Sequence, residues 1–442
     1  MKKENEFTRN IEKGLMEVTA YQFHTYNIEP SFPEEIAKLG AKDLTVQNCS
    51  ERKNFCREKV LTIDSEDCKD MDDAVSVTKT SAGYSLAVHI ADVSAYIAPG
   101  TELDKVASYR ACSIYLPHMT VPMLPAVLSN NLCSLNPGCE RYTLSVLAEL
   151  SEAGEILHSE ICKGQIQSKV KGVYTEINRL LSGERNTKLM DKYKEVYEEL
   201  FTMEKLYISL REARIRRGST CEGTEKPKVF LRNQEIVIRQ EKRGVAENMI
   251  EEFMILANRI VAEYLYEKEL PSIFRVQEER NHLAAYQATK LHHAELALDC
   301  YSHFTSPIRR IADLKIHQIL SMHLSGMDKK EIHEIFDEAL IEVCERATKR
   351  SRTADQVQEK CEQYCYKEYL RKHRKDNYTG KIVGFDRLHR PIVIMNQFYI
   401  KLIGYAINHA SIGEEYSFKV GISADQKEMF TYCPLKAVAA VA

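Results

Sequence analysis

The feature that most constrains this chain is an acidic segment between two short apolar runs. It reads T-I-D-S-E-D-C-K-D-M-D-D-A, residues 62–74, and six of the ten positions from 64 to 73 are carboxylates. The flanking runs, Val60–Ile63 and Ala74–Thr78, are typical of β-strands. Carboxylates this close together repel one another and raise each other's pKa values unless a cation neutralises them. The segment therefore predicts a strand–loop–strand unit whose loop binds a divalent cation.

The ligands in this loop are all hard oxygens. They suit Mg²⁺, which takes one or two carboxylates together with water and phosphate oxygens. A two-metal phosphodiester hydrolase would use such a cluster to hold two ions about 4 Å apart. Two alternatives stay open: a solvated acidic loop, and a structural calcium loop, although the Gly and final Glu of an EF-hand are missing. Asp72 and Asp73 would point to opposite faces of a regular strand, so at most one lies beside Asp64 unless the strand starts irregularly.

Beyond this segment, the apolar patterns predict an α+β protein. A Ser-Ala-Gly turn at 81–83 between β-branched runs is typical of a hairpin, and further runs predict a mixed or antiparallel sheet. Stretches of good helix formers with one apolar face predict long helices around it. About 60 residues of short strands predict a small terminal β-barrel. The predicted strands are Ala74–Thr78, Tyr84–Ala91, Val93–Ile97, Tyr142–Leu150 and Ile156–Lys169, the helices Lys188–Arg217, Val245–Leu270 and Lys329–Lys375, and the barrel strands Tyr378–Val383, Ile392–Met395, Phe398–Gly404 and Tyr416–Val420.

Composition excludes several classes of protein. Of the 442 residues, 44% are hydrophobic and 28% are charged, which is ordinary globular usage. The 61 Lys and Arg nearly balance the 64 Asp and Glu, so any contact with nucleic acid has to be a local basic groove. No apolar run approaches the ~18 residues that span a bilayer, and the N-terminus lacks the apolar run of a signal peptide.

The cysteines indicate a reducing compartment. There are thirteen of them, an odd number scattered along the chain, so we expect free thiols and a cytoplasmic protein. Separately, we expect a monomer without membrane contact. Cys361 and Cys365 lie four positions apart on a predicted helix. Without nearby His or Cys partners, they are expected in the core or on the surface and not at a zinc site.

A second motif, H-F-T-S-P-I-R-R-I-A-D-L-K-I-H at 303–317, predicts a helix start that binds an anion. Ser306 or its neighbour Thr305 is a good N-cap, and Pro307 fits the first helical position. Arg309 and Arg310 would then lie in the first turn, where two cations cost stability unless an anion binds. We therefore expect a phosphate pocket made of backbone amides, a hydroxyl and guanidinium groups. In the alternative interpretation, the arginines pair with acidic side chains elsewhere.

A third feature is the extended, proline-rich segment at 113–125. Tyr115 within it could offer a ring for base stacking. On residue type alone, a tyrosine beside Leu and Pro is more typical of a core. The basic clusters at 211–217 and 349–352 are solvated helix faces by default.

Taken together, these motifs resemble the ribonuclease II / ribonuclease R exoribonuclease family, over roughly residues 55 to 370. The resemblance implies a hydrolytic, Mg²⁺-dependent enzyme, with Mn²⁺ as a substitute, that degrades single-stranded RNA from the 3′ end to nucleoside 5′-monophosphates. It also implies a catalytic domain at 56–375 and an OB-like barrel at 376–442, whereas the residue pattern itself predicts an N-terminal segment of short helices at 1–55. Besides the acidic loop, the matching motifs are H-I-A-D-V-S (89–94), D-K-V-A-S-Y-R (104–110), Y-L-P…V-P-M-L-P…L-S-N-N-L-C-S-L (115–135), I-E-E-F-M-I-L-A-N (250–258) and Y-S-H-F-T-S-P-I-R-R (301–310).

The resemblance also implies roles for individual residues. Asp72 is the one whose loss should stop the chemistry while leaving RNA binding intact. Tyr115 corresponds to the aromatic residue that clamps the terminal nucleotide, and Arg309 to the arginine at the scissile phosphate. The full set is Asp64, Asp70, Asp72 and Asp73 as catalytic metal ligands, Arg309 as a catalytic residue, and Tyr115, Ser306 and Arg310 as RNA-binding residues.

The chain departs from the family pattern in several places. Only about 60 residues precede the aspartates, which is too few for an RNA-binding barrel and a linker, and several dozen residues are missing before Tyr301. No aromatic residue follows Arg217-Gly218 at 219–222, and Gln358 stands where some members have a Glu. We therefore expect a catalytic channel lined by Arg309 and the basic clusters, with weakened RNA capture outside it. Two alternatives remain, an RNA-binding protein with weak or lost turnover and a phosphatase of small esters.

Overall fold

The computed structural model describes residues 2–46, 51–220, 227–239, 243–404, 411–422 and 429–437. The helices of these residues are α1 (Lys2–Tyr26), α2 (Glu34–Ala37), α3 (Glu102–Arg110), α4 (Tyr174–Leu181), α5 (Thr187–Tyr193), α6 (Tyr197–Arg216), α7 (Val245–Glu267), α8 (Ile311–Leu324) and α9 (Lys329–Lys372). The strands are β1 (Lys53–Asn54), β2 (Thr62–Asp64), β3 (Asp73–Lys79), β4 (Gly83–Ala91), β5 (Ile114–Tyr115), β6 (Thr120–Val121), β7 (Glu140–Ser151), β8 (Ile156–Gln167), β9 (Lys171–Val173), β10 (Lys228–Arg232), β11 (Glu235–Arg239), β12 (Phe274–Val276), β13 (Ala285–Gln287), β14 (Tyr378–Phe385), β15 (Pro391–Met395), β16 (Lys401–Ile403), β17 (Glu415–Ile422) and β18 (Met429–Ala437).

The main body is built on a five-stranded sheet in the order β1-β8-β7-β4-β3. Its pairs are antiparallel except β1 with β8, and the central register sets Val88 opposite both Val75 and Val146. These three side chains are buried, and helices α6 and α7 pack against the same sheet. The predicted mixture of helices with a mixed sheet is therefore confirmed, including the hairpin of β3 and β4.

Two of the three long predicted helices are confirmed, and the third is interrupted by a turn. The spans of α7 and α9 match the predictions closely, whereas the predicted helix Lys188–Arg217 is two helices, α5 and α6. Tyr193 and Val196 on either side of the break are both fully buried. The hydroxyl of Tyr193 donates to Glu176 at 2.6 Å. Residues 194–196 form a turn that separates the two helices.

The strand pattern gave one wrong strand and missed one hairpin. Val93–Ile97 is not a strand, because residues Val93–Ala95 form a 3₁₀ turn whose Ala95 amide donates to the Asp92 carboxylate at 3.2 Å. The hairpin of β10 and β11 was not predicted. Asn233 and Gln234 at its tip have φ of 49° and 65°, the left-handed backbone of a tight hairpin turn.

The expected helix start at Pro307 is also wrong, because α8 begins at Ile311. Arg310 has an extended backbone with φ −137° and ψ 127°, and it forms a bridge with Cys112. The Arg309 carbonyl accepts from the amide of Ser113 at 3.1 Å. This pairing with the segment that leads into β5 keeps both arginines ahead of the helix instead of in its first turn.

A second hydrophobic core lies where α1 packs along α9. It holds Leu15, Phe23, Cys361 and Cys365, so of the two expected locations, core or surface, the cysteine pair lies in the core. Ile114 of β5 and Val229 of β10 belong to the same core, and the Thr19 hydroxyl of α1 lies 3.5 Å from His118. The first helix thus supports the segment that carries Tyr115.

The C-terminal strands curl into a small barrel in the order β14-β15-β16-β18-β17. β16 and β18 meet in parallel at one residue pair, Ile403 with Phe430. Ile382, Val393 and Leu402 fill its core together with Leu370 of α9, which joins the barrel to the main body.

The ten cysteines that the structure describes are free thiols. Among the described residues, no helix is long and apolar enough to cross a bilayer.

Candidate active site

The acidic loop places four aspartates around one cleft. Asp64 ends β2, Asp73 begins β3, and Asp72 lies immediately before that strand. Because the regular strand starts only at Asp73, the carboxylates of both Asp72 and Asp73 interact electrostatically with Asp64. Asp70 lines the same cleft from the loop. The irregular strand start that the sequence left open is what brings the four predicted aspartates together.

The loop is fixed from behind by the main body. Met71 is 2% exposed, and its amide donates to the Ser134 hydroxyl at 3.2 Å. The same hydroxyl donates to the carbonyl of Lys69 at 2.8 Å. The ammonium group of Lys171 donates to two loop carbonyls, at 2.9 and 2.6 Å. With Met71 anchored in the core, its neighbours Asp70 and Asp72 are held facing the cleft.

Burial raises the pKa of three of these carboxyl groups. It raises the pKa of Asp72 to about 8, against the lowering effect of Arg309. It raises the pKa of Asp73 to about 8, with a further increase from the charge of Asp64, and it raises the pKa of Asp64 to about 7, with a further increase from the charge of Asp72. The Oδ2 atom of Asp64 is buried without a hydrogen-bond partner. The protein alone therefore leaves this cluster short of positive charge.

Tyr115 and Arg309 reach the aspartates from two other elements. Tyr115, on β5, donates its hydroxyl to Oδ2 of Asp70 at 2.8 Å, while its residue surface is 40% exposed. Arg309 places Nε 3.3 Å from Oδ2 of Asp72. The Oδ1 atom of Asp72 accepts from the amide of Ile308 at 2.9 Å. Both predicted residues therefore line the cleft beside the carboxylates.

Ser306 and Arg310 lie behind Arg309 and do not line the cleft. The Ser306 hydroxyl is buried and accepts from the Arg309 guanidinium at 2.8 Å. Arg310 donates to the buried carboxylate of Asp313 at 2.7 Å, which agrees with the alternative of pairing with an acid. The Ser306 contact orients Arg309, and roles for Ser306 and Arg310 in binding RNA stay predictions.

The cleft has a volume of about 700 Å³. Three contributions to its wall were missed from the sequence: His118, Asn130 of the π-helical turn Val127–Leu132, and Phe230 of β10. The alternation of β10 and β11 would have predicted that hairpin. Nothing in the sequence indicates that tertiary packing brings it to the acidic loop.

The side chains of the cleft suit a hard cation. The carboxylate oxygens, the unpartnered Oδ2 of Asp64 and the raised pKa values all favour bound positive charge. In the described part of the chain, no group of three or more His, Cys, Asp or Glu side chains stands in a ready-made metal-binding geometry. Mg²⁺ fits such a partial set, because it keeps several waters and takes only one or two carboxylates.

The basic clusters are largely used within the fold. Arg214 forms a buried ion pair with Glu252 at 2.7 Å. Arg350 donates to the carbonyls of Tyr26 and Asn27 at the end of α1, at 3.2 and 3.3 Å. Neither arginine lines the cleft, so Arg309 is the cation of the predicted set that does.

Comparison with known proteins identifies the class. Residues 52–284 and 282–326 match the model of the RNB domain, which is more than half of the chain. The chain therefore belongs to the RNB domain family, and the predicted family is confirmed. It is 34% identical over 394 residues to Ribonuclease R of Thermotoga maritima, covering 74% of this chain and 54% of that protein. The chain spans about half the length of the curated relatives it matches.

Two solved structures share the fold. RNase R of Mycoplasma genitalium in complex with ribose-methylated single-stranded RNA superposes with a TM-score of 0.82 at 21% identity, over 94% of this chain and 77% of that one. Yeast Ssd1, a pseudonuclease, superposes with a TM-score of 0.66 at 19% identity, over 90% of this chain and 57% of that one.

Proposed function

We propose that the protein is a hydrolytic 3′–5′ exoribonuclease that degrades single-stranded RNA to nucleoside 5′-monophosphates. One observation carries the proposal. Asp64, Asp70, Asp72 and Asp73 line one cleft together with Tyr115 and Arg309, in a chain of the RNB family. The cleft offers carboxylates for cations, a guanidinium for a phosphate and a partly exposed aromatic ring for a base.

Each side chain has a distinct part in this reaction. Arg309, 42% exposed and oriented by Ser306, binds a phosphate oxygen at the reacting end. Tyr115 stacks on the terminal base while its hydroxyl is fixed by Asp70. The four aspartates would hold Mg²⁺, with Mn²⁺ as a substitute. When bound, the two ions supply a water nucleophile and stabilise the leaving oxygen.

Asp72 has two protein partners beside its proposed role in holding a cation. In the described structure its two oxygens contact the amide of Ile308 and the guanidinium of Arg309. Asp72 would be one of the residues that hold a cation, and the Arg309 guanidinium would then be available for a phosphate. Positioning and electrostatics carry the reaction, so no covalent intermediate with the protein is expected.

We further propose that the C-terminal barrel is OB-like and extends the RNA path. The strand order β14-β15-β16-β18-β17, with β16 parallel to β18, supports this interpretation. A ribonuclease II type of action, a role in mRNA degradation, a cytoplasmic location and a monomeric state belong to the same proposal. Size-exclusion chromatography with light scattering would test the monomer.

The test is a product analysis. The protein with Mg²⁺ should shorten a 5′-labelled poly(A) strand from its 3′ end and release AMP, and EDTA should stop the reaction. Asp72→Asn should bind the same strand without shortening it. Internal cleavage, a product with a 3′-phosphate, or full activity of Asp72→Asn would overturn the proposal.

A second candidate function is RNA binding with weak or lost turnover. Two observations favour it: the absence of a ready-made metal geometry among the described carboxylates, and Gln358, whose amide donates to Glu362 on α9 at 2.8 Å and does not line the cleft. A filter-binding assay that retains RNA, with no mononucleotide released in Mg²⁺ or Mn²⁺, would select this function.

A further inference from the structure

The hairpin of β10 and β11 has two different faces. Val229 is 5% exposed, and Leu231, Ile236 and Ile238 pack with it against the core under α1 and α9. Side chains alternate along a strand, so Phe230 and Arg232 project from the opposite face. Both are only partly buried. The apolar face fixes the hairpin, and the face that carries an aromatic and a basic side chain is left for another contact.

That second face is turned towards the acidic cleft. Phe230 lines the cleft together with Tyr115 and the aspartates. The amide of Leu231 donates to the carbonyl of Pro117 at 2.8 Å, two residues beyond Tyr115. The hydroxyl of Tyr366 on α9 also donates to the Pro227 carbonyl at the start of β10, at 3.3 Å. These bonds place two aromatic rings from distant parts of the sequence at one cleft.

Arg232 gives the same face a positive charge. Its guanidinium pairs with Asp67 of the acidic loop and lies 5.3 Å from the ring centre of Phe230. The side chains of Arg232 and Asp67 are 39% and 67% exposed. An exposed ion pair of this kind contributes little to stability, so a phosphate can replace the carboxylate.

We propose that β10 is an RNA-contacting strand, in which Phe230 stacks on a base and Arg232 binds a phosphate of the same single strand. The inference rests on the proposed function, because it assigns a second wall to the same cleft. Aromatic rings interleaved with basic groups bind single strands with little sequence preference, because every base has a stacking face. The strand of β10 supplies this pair on adjacent positions of one face.

The stacking part is tested by RNA binding in the non-cleaving Asp72→Asn background with EDTA. The probe is a 5′-labelled oligoadenylate with or without one abasic residue near its 3′ end. Phe230→Ala and Phe230→Leu should weaken binding of the intact strand about 10-fold, and Phe230→Tyr should stay within about twofold of the parent. Leu fills the same space but has no aromatic face. Weaker binding by Phe230→Leu would therefore show that stacking, and not packing, is lost.

The abasic probes identify the contact. When the abasic residue stands at the position that contacts Phe230, the parent should bind the strand more weakly. On that probe the parent and Phe230→Ala should bind with equal affinity. Tyr21→Ala, which removes a 67% exposed tyrosine on α1, is the matched control and should bind like the parent. Equal binding by Phe230→Ala and the parent, or the same loss on every abasic probe, would overturn the stacking role.

The phosphate part is tested by separating Arg232 from its partner. Arg232→Gln should weaken binding and lower the salt dependence by about one phosphate contact. Asp67→Asn should leave binding unchanged or strengthen it, because it frees the guanidinium. Equal weakening by both variants would show that the ion pair only holds the hairpin and would overturn the phosphate role. Loss of all RNA binding by the parent would instead contradict the proposed function.

Discussion

The molecule contains two sets of buried carboxylates that differ in their partners. Asp104 accepts from Lys315 at 2.6 Å, Gln318 at 2.9 Å and the amide of Gly100 at 3.0 Å. The carboxylates of the cleft have fewer donors, and the one that Asp72 accepts from at 2.9 Å is a neutral amide, that of Ile308. Asp64 has a buried oxygen without a partner, and Asp72 is approached by Arg309 only at 3.3 Å. The charge of the first set is balanced by donors of the protein. The charge of the second set is left for a bound cation to balance.

This difference separates structure from function. A buried charge that is fully paired can be part of a stable core, whereas a desolvated cluster of like charges costs stability until a cation arrives. Asp92, paired with Arg52 at 2.7 Å, belongs with Asp104. The two sets should therefore respond to mutation in opposite ways.

The largest contrast is expected for Asp72→Asn. Activity on single-stranded RNA should fall about 10³-fold or more, because a ligand of the reacting centre is lost. The melting temperature without metal should stay the same or rise, because Asn removes a desolvated charge and can still accept from Ile308. Kinetic assays and calorimetry on the same preparation check both results, and a melting temperature lower by several degrees would argue against the account.

The reverse pattern is expected for Asp104→Ala. It leaves the ammonium group of Lys315 buried without its carboxylate, and the free energy of unfolding should fall by about 3–5 kcal/mol. Urea denaturation measures this loss. The double variant with Lys315→Met should recover most of it, and failure to recover would mean that the loss does not come from the unpaired charge.

The third effect is stabilisation by metal. Saturating Mg²⁺ should raise the stability of the EDTA-treated protein by about 2–3 kcal/mol, because it binds only the folded chain. Asp64→Asn and Asp73→Asn should shrink this gain, and Asp104→Asn should not change it. Differential scanning calorimetry with and without Mg²⁺ makes the comparison. A gain that is equal in all variants would place the ions elsewhere.

The smallest effect concerns a buried cation. Lys163 is 4% exposed and donates to the Ser325 hydroxyl at 2.5 Å, and burial lowers its pKa to about 8. The folded chain loses this proton before the unfolded chain does, so Lys163 should add stability as pH rises from about 8 to 10. We expect about 1 kcal/mol. The difference in stability between the native protein and Lys163→Met should change by this amount, and a constant difference would contradict the shift.

Much of the candidate site could be predicted from the sequence. The four aspartates and Arg309 were identified from local patterns, a charge cluster at strand ends and a motif with two adjacent arginines. Tyr115 was identified only through the family resemblance, because its residue type alone is more typical of a core. The family motifs gave their roles. The start of α8 could not be predicted, because the extended backbone of Arg310 depends on its bridge to Cys112, 198 positions earlier in the chain.

The rest of the cleft was missed for the same reason. Phe230 sits on a short hairpin whose place depends on the hydrogen bond from Leu231 to Pro117. The contacts of Ser306 with Arg309 and of Arg310 with Asp313 arise from the fold around the turn at 306–310, and the roles of Ser306 and Arg310 in binding RNA stay predictions. Such contacts between distant segments leave no pattern in a single sequence.

The central claim is that the cleft carboxylates are left for divalent cations. The most direct test is to count bound Mn²⁺ by electron paramagnetic resonance in the native protein and in Asp64→Asn, with Asp67→Asn as the control. In the presence of an RNA strand made resistant to cleavage, the account predicts two tight Mn²⁺ ions per native chain, the same for Asp67→Asn and fewer for Asp64→Asn. Equal numbers in the native protein and Asp64→Asn would contradict it.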